Sequence, residues 1–262
     1  MSKPGRDRSA RQRLAAERSR QAARERRRRL LLVVVGAVAA AAVVVVVVVV
    51  VLTRDGGGGK PAPAYTGALA PTSRQSDGAV VMARPGVARP VLQIFEDFQC
   101  PICKDLEDRQ GPTIKELAAA GKVKTVYRPF QLFQQEPLSG NSRRAANAAA
   151  CAPADRWIQY HDQIYAHQPA EGDKGFADPD LITWAGAVGI SGAPFTTCVD
   201  KAQKTAEVDR ATAYAERAGV TATPWLTLDG AKLSGEVLAS PDALRKAIED
   251  AGRKSPGGGA PS

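Results

Sequence analysis

Histidine is nearly absent from this chain, with two in 262 residues, and neither follows a cysteine pair. The one Cys-x-x-Cys, Cys100-Pro-Ile-Cys103, is followed by Lys104, which excludes the c-type haem attachment motif. Only two other cysteines exist, Cys151 and Cys198, 47 residues apart, so a four-cysteine zinc site lacks its second closely spaced pair. No metal site and no diffusible cofactor are expected. There is no solenoid-type repeat either. Charge of one sign is missing from most of the chain: residues 1–29 hold 12 Lys/Arg and 3 Asp/Glu, and the remainder holds 24 of each sign. The net +9 is therefore a property of the N-terminal tail alone. A basic block of this kind binds phosphate non-specifically, but the long apolar run next to it argues against a nucleic-acid partner.

Residues 30–52 are apolar without interruption, running from Leu30 through a nine-residue valine stretch to Leu52. That length spans a bilayer core. Arg26–Arg29 abut it on one side and only Arg54 and Asp55 follow on the other, so the positive-inside rule predicts a cytoplasmic tail and an extracytoplasmic remainder. The competing reading is a cleavable signal peptide. Its apolar core would be shorter, with a small-x-small site close behind, whereas Ala68-Leu-Ala70 lies well downstream. Residues 53–78 are rich in Gly, Pro and Ala and lack periodicity; they are expected to form a flexible tether reaching roughly 25–30 Å. Residues 252–262 are expected to be a disordered tail.

The folded part is expected over 79–251. Val91-Leu-Gln-Ile-Phe95 has the β-branched, aliphatic and aromatic content of a central strand. It runs into Cys100, after which Cys103, Leu106, Ile114, Leu117 and Ala118 recur at helical spacing. Gly111-Pro112 predicts a kink or break in that helix. Lys122–Arg128 alternates as a second strand, which with the first makes a parallel strand–helix–strand unit. Ala79–Met82 predicts a short first strand. A helical block is expected over about 136–218, ending in one long helix over 194–218. Pro224–Leu228, Asp229-Gly230 and Ala231–Leu233 predict a hairpin, and Ser240-Pro241 caps a closing helix. The fold class is α/β: a small mixed sheet with a helical insertion between its halves.

The placement of Cys100 where a strand ends and a helix begins has chemical consequences. Free N–H groups and the positive end of the helix dipole favour a thiolate there. Cys100 is expected to be the exposed, low-pKa nucleophile, and Cys103, one turn on and facing inward, the resolving thiol. Attack of a thiolate on a disulfide sulfur, then resolution by the second thiol, is the chemistry such a pair supports. A permanent structural disulfide is the bland alternative. Cys151 follows an alanine run and Cys198 lies on an apolar stripe with Phe195, Ala202 and Ala206, so both are expected to be buried. Outside the cytoplasm two buried cysteines usually pair, and two unpaired core thiols remain the alternative. Trp157, Trp184 and Trp225 are expected in the core, with Trp225 also a candidate for a substrate groove. His161 and His167 are expected to be surface or core residues of the insertion, not ligands.

Phe95-Glu-Asp-Phe-Gln-Cys100-Pro-Ile-Cys103, the helical block, and Val220-Thr-Ala-Thr223-Pro224 before a hairpin together resemble the DsbA-like thioredoxin-fold proteins. More narrowly, they are similar to the membrane-anchored extracytoplasmic forms of high-GC Gram-positive bacteria. The resemblance covers about residues 79–251. It implies a thioredoxin-like fold, a cis Thr223–Pro224 bond facing the cysteine pair and positioning the substrate backbone, and a structural bridge between Cys151 and Cys198. It also implies a protein thiol–disulfide oxidoreductase that donates its disulfide to exported proteins and is recycled by a quinone-linked membrane oxidase. The family's usual acid six residues before the first cysteine is Ile94 here; Glu96 and Asp97 are nearer, and either is a candidate to tune Cys103 or carry its proton. A strand-end carboxylate without a role is the alternative for both. The same fold also serves reductases and isomerases, although no dimerisation module of the isomerase kind is present. A tethered docking domain with an inert cysteine pair is the reading from a different class.

Overall fold

The computed structural model describes residues 65–254. The basic tail, the apolar run over 30–52, most of the expected tether and the end of the C-terminal tail lie outside the described residues. Among those described, no helix is long and apolar enough to cross a membrane.

The strands are β1 (Thr72–Arg74), β2 (Val80–Met82), β3 (Val91–Glu96), β4 (Lys124–Pro129), β5 (Trp225–Leu228) and β6 (Ala231–Lys232). They form one mixed sheet in the order β1-β2-β4-β3-β5-β6. β3 pairs parallel with β4, setting Ile94 opposite Tyr127, and antiparallel with β5, setting Ile94 opposite Leu226. Neighbours on both edges explain the apolar composition of this strand: Leu92 and Ile94 are fully buried in the main core, while Phe95 faces a second cluster with Phe130, Ala215 and Val220. Glu96 continues the two-residue period of Leu92 and Ile94, so its carboxylate is directed to the same face as the main core.

The helix α1 (Pro101–Ala119) joins β3 to β4. The insertion contributes α2 (Leu138–Cys151), α3 (Trp157–Ala166), α4 (Asp178–Ala187), α5 (Ala193–Asp200) and α6 (Thr205–Arg217). α7 (Gly235–Leu238) and α8 (Pro241–Lys254) close the chain, and Ser240 Oγ accepts from Ala243 N at 3.2 Å as the cap of α8. The hairpin between β5 and β6 turns on Asp229 and Gly230, both at positive φ (49° and 86°), as a two-residue type I′ turn requires.

Several sequence-based expectations are corrected. The tether does not extend to residue 78: Thr72–Arg74 pairs antiparallel with β2. Its three polar residues carry no hydrophobic alternation, and Arg74 anchors it instead by donating to Ala149 O and Ala152 O and pairing with Glu207 at 3.4 Å. α1 runs unbroken through Gly111-Pro112; the carbonyl deprived of its partner belongs to Asp108, an exposed residue within reach of water. The single long helix over 194–218 is two helices, separated by a turn in which Ala202 takes a positive φ of 47°. The C-terminal tail begins later than residue 252, because α8 continues to Lys254 with Arg253 and Lys254 at the negative end of its dipole. The helix α7 had no recognisable sequence signal.

Cys151 at the end of α2 and Cys198 in α5 are disulfide-bonded, with Cα atoms 5.9 Å apart. Cys198 is buried, but Cys151 is half-buried, contrary to expectation, because the helix ends there and the chain turns outward at Pro153. A cross-link closing a loop of this length constrains the unfolded chain by about 4 kcal/mol in the chain-entropy model. Replacing both cysteines with alanine is expected to lower the unfolding free energy by about that amount in equilibrium urea denaturation.

Candidate active site

Cys100 is the N-cap of α1 with extended backbone (φ −77°, ψ 117°), and Pro101 opens the helix. Its backbone N–H donates to Asp97 O at 2.9 Å, and its carbonyl accepts from Cys103 N and Lys104 N. Gln168, just beyond α3, donates its side-chain amide to Phe98 O at 2.6 Å and Cys100 O at 3.0 Å, tying the approach to the cysteine to the helical insertion. On the other side the Thr223–Pro224 bond is cis, and the Cys100 thiol donates to Thr223 O at 3.5 Å. The two cysteines are unbonded; the structure holds the dithiol.

Cys100 is buried, at 5% exposure, which corrects the expectation of an exposed nucleophile: the Thr223–Pro224 loop and the Gln168 segment close around it. Ile102 between the cysteines is half-exposed and is the large apolar side chain left open beside the site. Thr223 is buried, whereas Pro224 and Trp225 are half-buried and Lys232 lies over the Trp225 ring at 3.4 Å. Trp157 is core; Trp184 is half-buried, stacked on exposed His167 at 4.5 Å.

The two thiols are electrostatically unequal. A hydrogen bond from the Cys103 thiol outweighs burial and, with Thr223 and the N–H groups of Cys103 and Ile102, lowers Cys100 to about 7. Burial is the main force on Cys103 and pushes its thiol well up, reinforced by the Cys100 bond and charge and by Glu96. The Asp97 N–H partly opposes this. A thiolate at residue 100 backed by a protonated thiol at 103 is the form set up for attack on a disulfide.

Both carboxylates beside the motif are buried, but they do different things. Asp97 Oδ1 accepts from Gln99 N at 2.9 Å, and Oδ2 from Leu132 N and Ser142 Oγ at 2.8 Å each and Phe133 N at 3.4 Å. It joins the strand end to the loop after β4 and to α2. Burial pushes its pKa up, against the pull of those hydrogen bonds. Glu96 Oε1 meets His161 Nε2 at 2.9 Å, and His161 Nδ1 meets Asp162 at 3.2 Å. Lys115 reaches the same Asp162 at 2.6 Å. Glu107, one turn beyond Cys103, is buried close by, and burial pushes it up to about 7. His161 is penalised by burial, yet the Glu96 charge and bonds to Asp162 and Glu96 hold it up at about 10. Glu107, Lys115, Asp162 and Gln168 were not anticipated. For Glu107 the signal was its place four residues after Cys103, on the inward stripe of α1.

A thioredoxin family model matches residues 86–250. Among solved structures, the chain is similar to the reduced disulfide bond oxidoreductase DsbG of Mycobacterium tuberculosis: 28% identity, 71% of this chain and 88% of that one, TM-score 0.57. It is similar to reduced DsbA of the same organism at 26% identity over 70% of this chain and 92% of that one, TM-score 0.57. It shares the fold of oxidised BdbD of Bacillus subtilis at 19% identity, over 71% of this chain and all of that one, TM-score 0.59. No curated protein matches the chain.

Three outcomes are expected at this site. Alkylation of Cys100 by iodoacetamide should rise with pH through a midpoint near 7. Cys103→Ala removes the largest stabilising contact and should move that midpoint upward by about a unit or more. Asp97→Ala leaves donors from three segments without their acceptor and should destabilise the fold by about 3 kcal/mol or more in denaturant titration.

Proposed function

The chain belongs to the thioredoxin family as a DsbA-like thiol–disulfide oxidoreductase, and from that premise we propose that it donates the Cys100–Cys103 disulfide to exported proteins. The observation that carries this reading is the placement of Cys100 at the start of α1, its thiol 3.5 Å from the Thr223 carbonyl of the cis Thr223–Pro224 loop and Cys103 buried one turn on. In the oxidised protein, a substrate thiolate attacks Cys100 Sγ, the S–S bond breaks, and Cys103 leaves as a thiolate that takes up a proton. A second substrate thiolate then attacks the substrate sulfur of the mixed disulfide and releases the Cys100 thiolate. Two electrons pass from substrate to the cysteine pair, so no diffusible cofactor enters the cycle. Thr223 and Pro224 present backbone beside Cys100 on which an extended substrate segment can pair.

The cellular setting belongs to the same proposal. Residues 30–52 anchor the protein as one span, with the tail in the cytoplasm and the catalytic domain outside. The Cys151–Cys198 disulfide supports an oxidising compartment, and a quinone-linked membrane oxidase would restore the active pair. One observation favours the opposite direction, reduction: a thiol lowered only to about 7 is the thioredoxin value, and strong oxidants lie far lower.

An equilibrium titration of the pair against glutathione separates these readings. A potential near about −120 mV marks a donor of disulfides, and one near about −270 mV a reductase. A pair that never exchanges would leave only a docking domain. Cys100→Ser is expected to abolish exchange, and Cys103→Ala to accumulate mixed disulfides with exported proteins after acid quenching.

A further inference from the structure

Among the described residues, Glu96 at the end of β3, Glu107 on α1 and His161 on α3 bring metal-type ligand atoms within 4.8 Å of one another, all three residues buried. The sequence led to no expectation of a metal, because these residues come from separate segments and the cysteines have the wrong spacing for one. Three further observations point to an occupant.

First, the carboxylates are underused. Glu96 Oε2 and both Glu107 oxygens are buried with no hydrogen-bond partner, as is the Tyr127 hydroxyl, whose ionisation is opposed by burial first and by both carboxylates after it. Buried polar atoms are paired in the great majority of cases, and four orphans around one histidine is a concentration that an ion of the right charge would relieve. Second, His161 is held as a ligand is held. Its Nδ1 faces Asp162 at 3.2 Å, an arrangement that fixes the ring and leaves Nε2 directed at the cluster. Third, Gly111 makes room for the Glu107 carboxylate: a Cβ there would come within 2.9 Å of Glu107 Oε2 and 3.7 Å of Lys115 Nζ, so a larger residue would push that carboxylate aside.

We propose that Glu96, Glu107 and His161 bind one divalent transition-metal cation of the zinc class, with Asp162 orienting His161 from behind. One imidazole and two carboxylates are a donor set of the kind zinc takes. The charges fit. Glu96, Glu107 and Asp162 are balanced by Lys115 and a divalent ion when His161 is neutral. Asp162 and Lys115, which flank the cluster, also line a surface cleft of about 580 Å³ together with Gln159 and the segment Tyr65–Thr72. Glu96 also faces Cys103, but the functional reading rests on the cysteine pair and not on an ion, so failure of this proposal leaves that reading standing.

The test uses the full-length protein in its oxidised form, in which Cys100 and Cys103 cannot ligate. After stripping with a chelator, it is incubated with Zn²⁺ or Co²⁺ and desalted, and metal content and the visible Co²⁺ spectrum are recorded. Retention of about one ion per chain with ligand-field bands is expected. Glu107→Gln and His161→Gln should each lower affinity at least about tenfold, and Asp162→Asn about 10–100-fold. No retention by the wild-type protein overturns the proposal, and this measurement needs no variant to fold. Equal retention by wild type and by Glu107→Gln and His161→Gln also overturns it, since surface carboxylates would then be the ligands.

Discussion

The Asp97 carboxylate lies where three separately built pieces of chain converge: the end of the central strand, the loop after β4, and Ser142 of α2. With both oxygens engaged by Gln99, Leu132, Phe133 and Ser142, it fixes the direction in which the chain leaves β3. That direction decides where Cys100 falls relative to α1, and its own carbonyl accepts the Cys100 N–H. The insertion is thus part of the active-site support, and Gln168, reaching back to Phe98 O and Cys100 O, does the same from the far end of α3. A helical block in the middle of a sheet protein has two separate grips on one short segment.

The inequality of the two thiols is a consequence of that placement. Cys100 and Cys103 share a helix turn, yet the first gathers hydrogen-bond donors at the helix start while the second is fully buried near the negative charge of Glu96. Stabilising the Cys100 thiolate stabilises the reduced protein relative to the disulfide, which is what makes a disulfide oxidising. Cys103 is completely enclosed, whereas Cys100 keeps the little exposure the pair has, so external attack falls on Cys100. The order of events in exchange is therefore set by packing, and the driving force by the balance of charge around one sulfur.

Much of the scaffold was legible because its elements carry strong local signals. The apolar strand ending in a cysteine, the Asp-Gly turn and the Ser-Pro cap each have a local physical cause. Where the reading departed from the structure, the cause was an interaction beyond the local window. Thr72–Arg74 is a strand because Arg74 finds carbonyls of the insertion and Glu207 across the fold. Pro112 is accommodated because it removes a hydrogen bond whose acceptor lies on an exposed residue. The Cys151–Cys198 pair was suggested by composition and compartment, yet only the packing of α2 against α5 brings the two sulfurs together.

The chemistry at Cys100 was legible for the same reason as the strand: it depends on neighbours in sequence, namely the helix it starts and the cysteine one turn on. The burial of that sulfur was not, because Thr223 and Gln168 arrive from distant parts of the chain. The cluster beneath the site shows the contrast most clearly. Glu96 could have been assigned to the core, since it continues the two-residue period of Leu92 and Ile94, and Glu107 shares the inward stripe with Cys103. Each alone looks like an anomaly on an apolar face. Burying either carboxylate without compensation is unfavourable enough that a partner must exist, so two such anomalies on adjoining elements imply a third residue carrying positive charge or a proton. His161 is that third residue, its Nε2 2.9 Å from Glu96 Oε1. The pattern that sequence reading missed was therefore one of charge placed on apolar faces, which no propensity scale or motif search registers.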